Sequence, residues 1–264
     1  MQKNTYAIFG MGNIGRILAT RLRAVGIPGG QISICDSDPV RAEATAREFA
    51  AQPIVLSAST ACAADVILLA TPPKAISGIL RQLAPKLTQN QVVVSFAAAL
   101  PLSKLEMLLP GKAVVRVMPN APSLVGNGMN PVVYGASVTD HARTQVKFVL
   151  DALGKSVEVA DDLMNWYVGL SGAAMRSLLP ALQGLTKAGE EAGLSHPDAR
   201  HLAAEVMLGT AALVLKTDLT FEQIKALTPM QTVDDDALVL LFLDAARSAQ
   251  EKTKANEKKL LELA

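Results

Sequence analysis

Three glycines near the start of the chain have the spacing of a phosphate-binding loop. Residues 6–16 read YAIFGMGNIGR, in which a short apolar run enters the glycines and a helical pattern follows them. Gly10 permits a tight turn after a strand, Gly12 lets backbone amides approach a diphosphate, and Gly15 lets the helix lie close to the strand. A diphosphate would then meet the unpaired amides at the helix start. The predicted contact residues are Gly10, Met11, Gly12, Asn13, Ile14 and Gly15.

A carboxylate after the next strand pattern indicates a dinucleotide as the ligand. Residues 31–35 read QISIC and are followed by Asp36, roughly 20 residues beyond the last glycine, where an acid commonly binds the ribose 2′-hydroxyl. Such a carboxylate favours NAD because it repels a 2′-phosphate, whereas Ser37 and Arg41 lie close enough in sequence to bind one. The predicted cofactor is therefore NAD or NADP, and a glycine turn without any ligand is the alternative.

Apolar runs alternate with helical patterns over the first half of the chain. Strands are predicted at 54–56, 65–70, 91–96 and 113–118, and helices at 39–50, 74–83 and 103–109. Continuous apolar strands separated by helices are typical of a parallel sheet that is covered on both faces. Ligands of such sheets bind beyond the carboxyl ends of the strands. This placement adds further residues to the predicted cofactor site, namely Ala70, Thr71, Pro72, Ser95 and Asn120.

Strand patterns end near residue 160, and helices dominate the remainder of the chain. These helices are predicted at 166–192 with a kink at Pro180, from Ser195 to about 216, from a capping box at Thr220, and from 234 to 259. Between residues 202 and 215 only Glu205 is charged, whereas a surface helix has a polar face. This helix is therefore predicted to pack against a second copy of the chain in a homodimer or a larger homo-oligomer. Burial within one subunit is the alternative.

Composition argues against several other classes of protein. The formal net charge is +1 and there is one Trp, so nucleic acid is not expected as a partner. The longest uncharged stretch, 117–139, is interrupted by prolines and glycines and predicts no membrane span. Cys35 and Cys62 lack metal-ligand spacing and the three histidines are scattered, so no metal site is predicted. Reduced cysteines, and a start that runs directly into the first strand, predict a cytoplasmic protein without a signal peptide.

One segment is specific enough to indicate a family. Residues 116–129 read RVMPNAPSLVGNGM and resemble the signature region of pyrroline-5-carboxylate reductases, and the GMGNIG sequence of the glycine loop matches the family as well. Positions 172, 188–189, 193–194, 199–200 and 208–209 fit its helical domain. The resemblance implies an α/β Rossmann-type parallel sheet domain, residues 1–160, followed by an all-α dimerisation domain, residues 161–264. It also implies reduction of a cyclic imine by a nicotinamide cofactor, with Asn120 beside the nicotinamide and the substrate.

The chain departs from the family where the family binds its substrate. Residues 172–177 read GAAMRS in place of a glycine-serine-glycine-proline-alanine-tyrosine stretch, and residues 229–234 read PMQTVD in place of a proline-glycine-glycine-threonine-threonine loop. Val233 replaces the last threonine, so Thr232 is the hydroxyl predicted to contact the substrate. Arg176 is a candidate for an anionic substrate or a solvated arginine. The acids at 234–236 either start a helix or protonate an imine nitrogen.

The residues and the resemblance together predict an NAD(P)H-dependent reductase of pyrroline-5-carboxylate, of the proline biosynthesis type, or of a related C=N substrate. Asn120 and Thr232 are the predicted catalytic residues. One alternative is an NAD(P)-binding paralogue with a regulatory role. Another is a dehydrogenase of a small hydroxy acid, for which Lys187 is the candidate general acid.

Overall fold

The computed structural model describes residues 4–55 and 63–262. The chain divides into two compact units, of which one contains the chain up to Gly172 and from Arg247 onward, and the other contains residues 173–246. Cys62 and Leu56, which carry parts of the sequence predictions, lie outside the described residues. The domain boundary predicted after residue 160 stays a prediction.

The first unit is built on one eight-stranded sheet. Its strands are β1 (Tyr6–Phe9), β2 (Ile32–Cys35), β3 (Gln52–Pro53), β4 (Val66–Leu69), β5 (Val92–Ser95), β6 (Ala113–Val117), β7 (Gly128–Tyr134) and β8 (Gly154–Glu158). They lie in the order β3-β2-β1-β4-β5-β6-β7-β8. Neighbours are parallel, except that β7 runs antiparallel to β6. The order reverses at β1, and ligands of α/β sheets bind at such a reversal.

Helices cover both faces of this sheet. They are α1 (Asn13–Ala24), α2 (Pro39–Phe49), α3 (Pro73–Leu83), α4 (Leu102–Leu108), α5 (Asp140–Leu153) and the short α6 (Met164–Tyr167). Alternate side chains of β1 point to opposite faces, as the period of a strand requires. Tyr6 and Ile8 belong to the core beneath α1, α2 and α5, whereas Ala7 and Phe9 belong to the core beneath α3 and α4. The predicted α/β sheet with two covered faces is therefore confirmed.

Four elements of the sheet domain differ from the sequence prediction. The strand predicted at 54–56 lies earlier in the chain, because β3 consists of Gln52–Pro53. The antiparallel β7, the helix α5 and the edge strand β8 were not predicted. β7 carries Asn130 and Pro131 within an apolar run, and its polar and proline residues interrupt the pattern by which strands are recognised.

The second unit is helical. It contains α7 (Ala174–Glu191), α8 (His196–Lys216), α9 (Phe221–Ala226) and the start of α10 (Asp235–Glu262), which continues into the first unit. The single helix predicted at 166–192 is instead divided into α6, a π-helical turn at Val168–Ala173, and α7. Pro180 lies inside α7, and the kink predicted there stays a prediction.

The predicted helix starts in this unit are confirmed. Ser195 caps α8, with its Oγ accepting a hydrogen bond from the Asp198 amide at 3.3 Å. Thr220 and Gln223 form the reciprocal capping box of α9. Both caps satisfy amides that a helix start would otherwise leave unpaired.

The apolar surface of α8 is exposed in the single chain. Leu202, Leu208 and Leu215 are 53%, 63% and 83% exposed, so burial of this helix within one subunit is not observed. None of the helices in the described part of the chain combines the length and the hydropathy that a membrane span requires.

Candidate functional site

The glycine loop has the geometry that its spacing predicts. Gly10 has a φ of +90°, and a Cβ on it would lie 2.8 Å from the Ala70 carbonyl oxygen. A Cβ on Gly15 would lie 1.9 Å from the Gly10 carbonyl oxygen. Gly12 differs, because no atom lies within 4 Å of the position of its Cβ. It is the N-cap of α1 and contributes no side-chain cap, which leaves the amides of the first turn available to an anion.

A cavity of about 740 Å³ opens at the carboxyl ends of β1, β2, β4 and β5, within the size range of cofactor sites. Of the predicted cofactor residues, those that line it are Gly10, Gly12, Asn13, Ile14, Asp36, Ala70, Thr71 and Pro72. Other described lining residues are Phe9, Cys35, Ser37, Arg41, Val55, Pro73, Ala75, Ile79, Phe96, Ala97, Ala98 and Ala99. The cavity therefore combines one polar end, near Asp36, with walls that are mostly apolar.

The Asp36 carboxylate is held by donors on several sides. Its Oδ2 accepts a hydrogen bond from the Met11 amide at 2.7 Å, and its Oδ1 accepts from the Asp38 amide at 3.0 Å and from Arg41 Nη2 at 2.8 Å. The side chain is 5% exposed. Burial by itself raises the pKa of Asp36, but the hydrogen bonds from the Asp38 and Met11 amides and from Arg41 outweigh it, and the pKa is lowered. The carboxylate is therefore ionised at neutral pH.

Two groups in the cavity wall bear on what it could bind. The Thr71 hydroxyl oxygen is buried and has no hydrogen-bond partner in the described structure. Burial, together with the neighbouring Asp36 carboxylate, raises the pKa of the Cys35 thiol to about 11, so this thiol is neutral at pH 7. An unpaired hydroxyl, an ionised carboxylate and open helix amides together fit a ligand that has a diphosphate and ribose hydroxyls. Among residues 4–55 and 63–262, no group of His, Cys, Asp and Glu could hold a metal ion.

Four predicted cofactor residues support the loops around the cavity without lining it. Met11 contributes its amide to Asp36, and Gly15 provides the close approach of α1. The buried Ser95 accepts a hydrogen bond from the Ala97 amide at 3.4 Å. Asn120 is also buried, with its Oδ1 accepting from the Met129 amide at 3.2 Å and its Nδ2 donating to the Ser171 carbonyl at 3.4 Å. The predicted contact of Asn120 with a nicotinamide stays a prediction.

The predicted substrate residues belong to the helical unit. Thr232 is exposed in the segment between α9 and α10, and its catalytic role stays a prediction. The acids that follow it are engaged in the helix start. Asp234 Oδ1 accepts a hydrogen bond from the Ala237 amide at 3.0 Å, and Asp235 forms an ion pair with Lys225 at 3.1 Å. Arg176 is exposed on α7.

One ion pair behind the cavity wall, between the buried Arg116 and the partly exposed Asp161, was not predicted from the sequence. Arg116, near the carboxyl end of β6, donates from Nη1 to Asp161 Oδ1 at 2.6 Å and from Nη2 to the Ala98 carbonyl. The one signal in the sequence was a single charge within the otherwise apolar run 113–118. The partner was not recognisable, because Asp161 lies far along the chain.

This fold and this cavity define a dinucleotide-binding oxidoreductase of the Rossmann class. Residues 5–99 match the family model described as NADP oxidoreductase coenzyme F420-dependent, and residues 161–233 match the one described as pyrroline-5-carboxylate reductase dimerisation. The chain is 32% identical to the pyrroline-5-carboxylate reductase of Pseudomonas aeruginosa over 81% of this chain and 79% of that protein. It is 30% identical to that of Corynebacterium melassecola over 84% of each. The chain belongs to the pyrroline-5-carboxylate reductase family.

Solved structures agree with this fold over nearly the whole chain. Plasmodium falciparum pyrroline carboxylate reductase, with NADP bound, has a TM-score of 0.84 at 21% identity and covers 97% of this chain and 99% of its own. The pyrroline-5-carboxylate reductase of Coxiella burnetii has a TM-score of 0.80 at 22% identity, with the same coverage of both chains. Prephenate dehydrogenase from Aquifex aeolicus is more distant. It has a TM-score of 0.57 at 16% identity and covers 99% of this chain and 87% of its own. The predicted sheet domain followed by a helical domain is confirmed.

Proposed function

We propose that the protein is an NAD(P)H-dependent reductase of a cyclic imine, either pyrroline-5-carboxylate or a closely related C=N compound. The observation that carries this proposal is the cavity bounded by open Gly12, the unpaired Thr71 hydroxyl and ionised Asp36, in a chain of this family. Relatives with the same architecture are named pyrroline-5-carboxylate reductases, and one of them has NADP bound.

Each part of the cavity has a role in holding a nicotinamide dinucleotide, which supplies a hydride when it is bound. The amides at the start of α1 bind the diphosphate, because the unpaired amides and the dipole of a helix favour an anion at that end. Asp36 accepts hydrogen bonds from the adenosine ribose. The apolar residues Phe96 to Ala99 exclude water from the remaining part of the cavity, which protects a reactive C=N group from hydrolysis.

The chemistry of imine reduction agrees with the residues that are present. A C=N carbon needs an oriented hydride donor, an apolar environment and a proton for nitrogen, so no strongly basic side chain is required. Asn120 and Thr232 are the proposed catalytic residues. The altered segments at 172–177 and 229–234 make the substrate class the part of the proposal that most needs an experiment.

The protein is also proposed to act as a homodimer or a larger homo-oligomer. The match to a dimerisation family over residues 161–233 and the exposed leucines of α8 support this. A cytoplasmic location and the absence of a nucleic-acid partner are proposed from the cysteine usage and the net charge of +1.

Loss of reduced-nicotinamide absorbance with a panel of imines tests the reaction. The panel contains pyrroline-5-carboxylate, the same ring without its carboxylate, and the six-membered homologue, each with NADH and with NADPH. Turnover of at least one compound supports the proposal, and the preferred member identifies the substrate class. Tight coenzyme binding without turnover of any compound would favour a regulatory dinucleotide-binding protein instead.

A further inference from the structure

A charged side chain lies buried near the carboxyl end of β6. Arg116 on β6 is 1% exposed, and its strand neighbours Val115 and Val117 are fully buried. Burying a guanidinium is strongly unfavourable unless it is paired and hydrogen-bonded. One arm, Nη1, donates to Asp161 Oδ1 at 2.6 Å, and the other arm, Nη2, donates to the Ala98 carbonyl.

The same two side chains form hydrogen bonds with two peptide groups of one wall of the cavity. Asp161 Oδ2 accepts a hydrogen bond from the Leu102 amide at 2.9 Å. Arg116 therefore binds the Ala98 carbonyl, and Asp161 binds the Leu102 amide. Both peptide groups belong to the segment 96–102, which we call the wall loop. Phe96 to Ala99 of the wall loop line the cavity, whereas neither charged side chain does.

The order of the strands indicates which end of a bound cofactor the wall loop faces. Asp36 follows β2 and the glycine loop follows β1, so the adenosine ribose and the diphosphate are assigned to that side of the cavity. β4 and β5 lie on the other side of β1 from β2. A dinucleotide that extends across the cavity therefore has its nicotinamide against the wall loop, which follows β5.

Resting on the proposed function, we infer that Arg116 and Asp161 are positioning residues for the nicotinamide half of the cofactor. They act through the wall loop, by fixing the peptide groups at Ala98 and Leu102. If the ion pair served only the stability of the fold, its removal would change the binding affinities of all ligands of the cavity equally, or would change none of them. If the ion pair positions the wall loop, its removal weakens the binding only of ligands that contact the wall loop.

Calorimetric binding of NADH and of ADP-ribose separates these two roles, because ADP-ribose has the adenosine and the diphosphate but no nicotinamide. The variants are Arg116→Met, which removes the donor to the Ala98 carbonyl, and the double variant Arg116→Met with Asp161→Asn, which removes the same donor and leaves no unpaired charge. Both variants keep an acceptor for the Leu102 amide. The control is Arg143→Met, which breaks the exposed ion pair with Glu158.

We expect NADH to bind about tenfold more weakly to both variants, the change expected for one lost hydrogen bond. ADP-ribose affinity, and both affinities of the control, should stay within about twofold of the wild type. Equal losses for the two ligands, or no loss for either, would overturn the positioning role. If the double variant does not fold, Arg116→Met decides alone. A wild-type protein that binds neither ligand would instead overturn the proposed function, so the two failures are distinguishable.

Discussion

The Asp36 carboxylate and the Met11 amide are joined by a hydrogen bond of 2.7 Å, so the residue that follows β2 also fixes the glycine loop that follows β1. The same carboxylate is paired with Arg41 at 2.8 Å. One side chain thus contacts both the glycine loop, where the diphosphate is proposed to bind, and the nearest cation, Arg41.

Replacement of Asp36 with serine is expected to shift coenzyme preference from NADH to NADPH. The ionised Asp36 repels a 2′-phosphate and engages the Arg41 guanidinium that would otherwise bind it. Serine releases Arg41 and should increase the ratio of kcat/KM for NADPH to that for NADH about 10- to 100-fold, the range for one charge-assisted hydrogen bond. Steady-state kinetics with both coenzymes measure the ratio. Asp36→Ser combined with Arg41→Ala is the control, and it should lose most of this gain.

The contribution of Asp36 to stability should depend on pH. Although burial raises its pKa, the hydrogen bonds from Asp38, Met11 and Arg41 lower it overall. Because the folded-state pKa is lowered, this stabilisation is complete above the ordinary Asp pKa of about 3.9 and is lost as the pH falls through the folded-state value. The free energy of unfolding of the wild type minus that of Asp36→Asn should therefore be smaller near pH 3 than near pH 7 in chemical denaturation. An equal difference at both pH values would contradict this prediction.

Two glycines of the same loop should respond differently to alanine. Gly15→Ala places a Cβ 1.9 Å from the Gly10 carbonyl oxygen, and we expect it to lower the free energy of unfolding by about 2 kcal/mol or more. The Cβ of Gly12→Ala meets no atom within 4 Å, so this variant should change the free energy of unfolding by only about 0.5 kcal/mol. It should nevertheless weaken NADH binding, because the added methyl group enters the cavity. Denaturation and NADH titration of both variants measure the contrast. Normal NADH affinity in Gly12→Ala would count against a diphosphate at this position.

A charge on the apolar surface of α8 should dissociate the proposed dimer. Leu208 is 63% exposed in the single chain, and Leu208→Glu would bury an unpaired carboxylate between subunits, at a cost of several kcal/mol. Sedimentation velocity should show a smaller species than the wild type. Met107→Glu is the matched control, since Met107 is 70% exposed on α4 and its replacement should leave the oligomer intact. An unchanged oligomer in Leu208→Glu would place the interface elsewhere.

Restoring a threonine at position 233 should improve the reduction of pyrroline-5-carboxylate. The resemblance implies that a hydroxyl at this place lies near the imine nitrogen, and a valine leaves that polar group without a partner. Val233→Thr is expected to raise kcat/KM for this substrate about tenfold, as one added hydrogen bond would. The control is Met230→Thr, because Met230 is an exposed apolar residue of the same segment. An equal gain in both variants would indicate a general effect of polarity.

The glycine loop and the alternating strands were predictable because their signals are local. Gly10, Gly12 and Gly15 lie within a few residues of one another, and each strand from β4 to β6 is a continuous buried run. Caps at Ser195 and Thr220 are equally local, since the bonded groups are separated by three residues. These features depend on backbone geometry near the residue itself, which the sequence encodes directly.

Other features depend on residues that are distant in sequence. Arg116 and Asp161 are 45 residues apart, and nothing in the spacing of either residue indicates the other. β7 becomes a strand through pairing with β6 and β8, although its own sequence includes a proline and an asparagine. The hydrogen bonds of the Asn120 amide to Met129 and Ser171 likewise join groups that are distant in sequence from the residue or lie in another element, and its predicted contact with a nicotinamide stays a prediction. Tertiary pairing of this kind overrides local preference.

The proposed dimer through the exposed leucines of α8 would make the lifetime of a newly made chain depend on how many copies are present. A protein whose folded form is completed by self-association has a melting temperature that rises with its concentration. At low expression, more subunits would remain unassociated, with an apolar surface available to chaperones and proteases. Gene dosage would therefore influence the amount of active enzyme more steeply than in direct proportion.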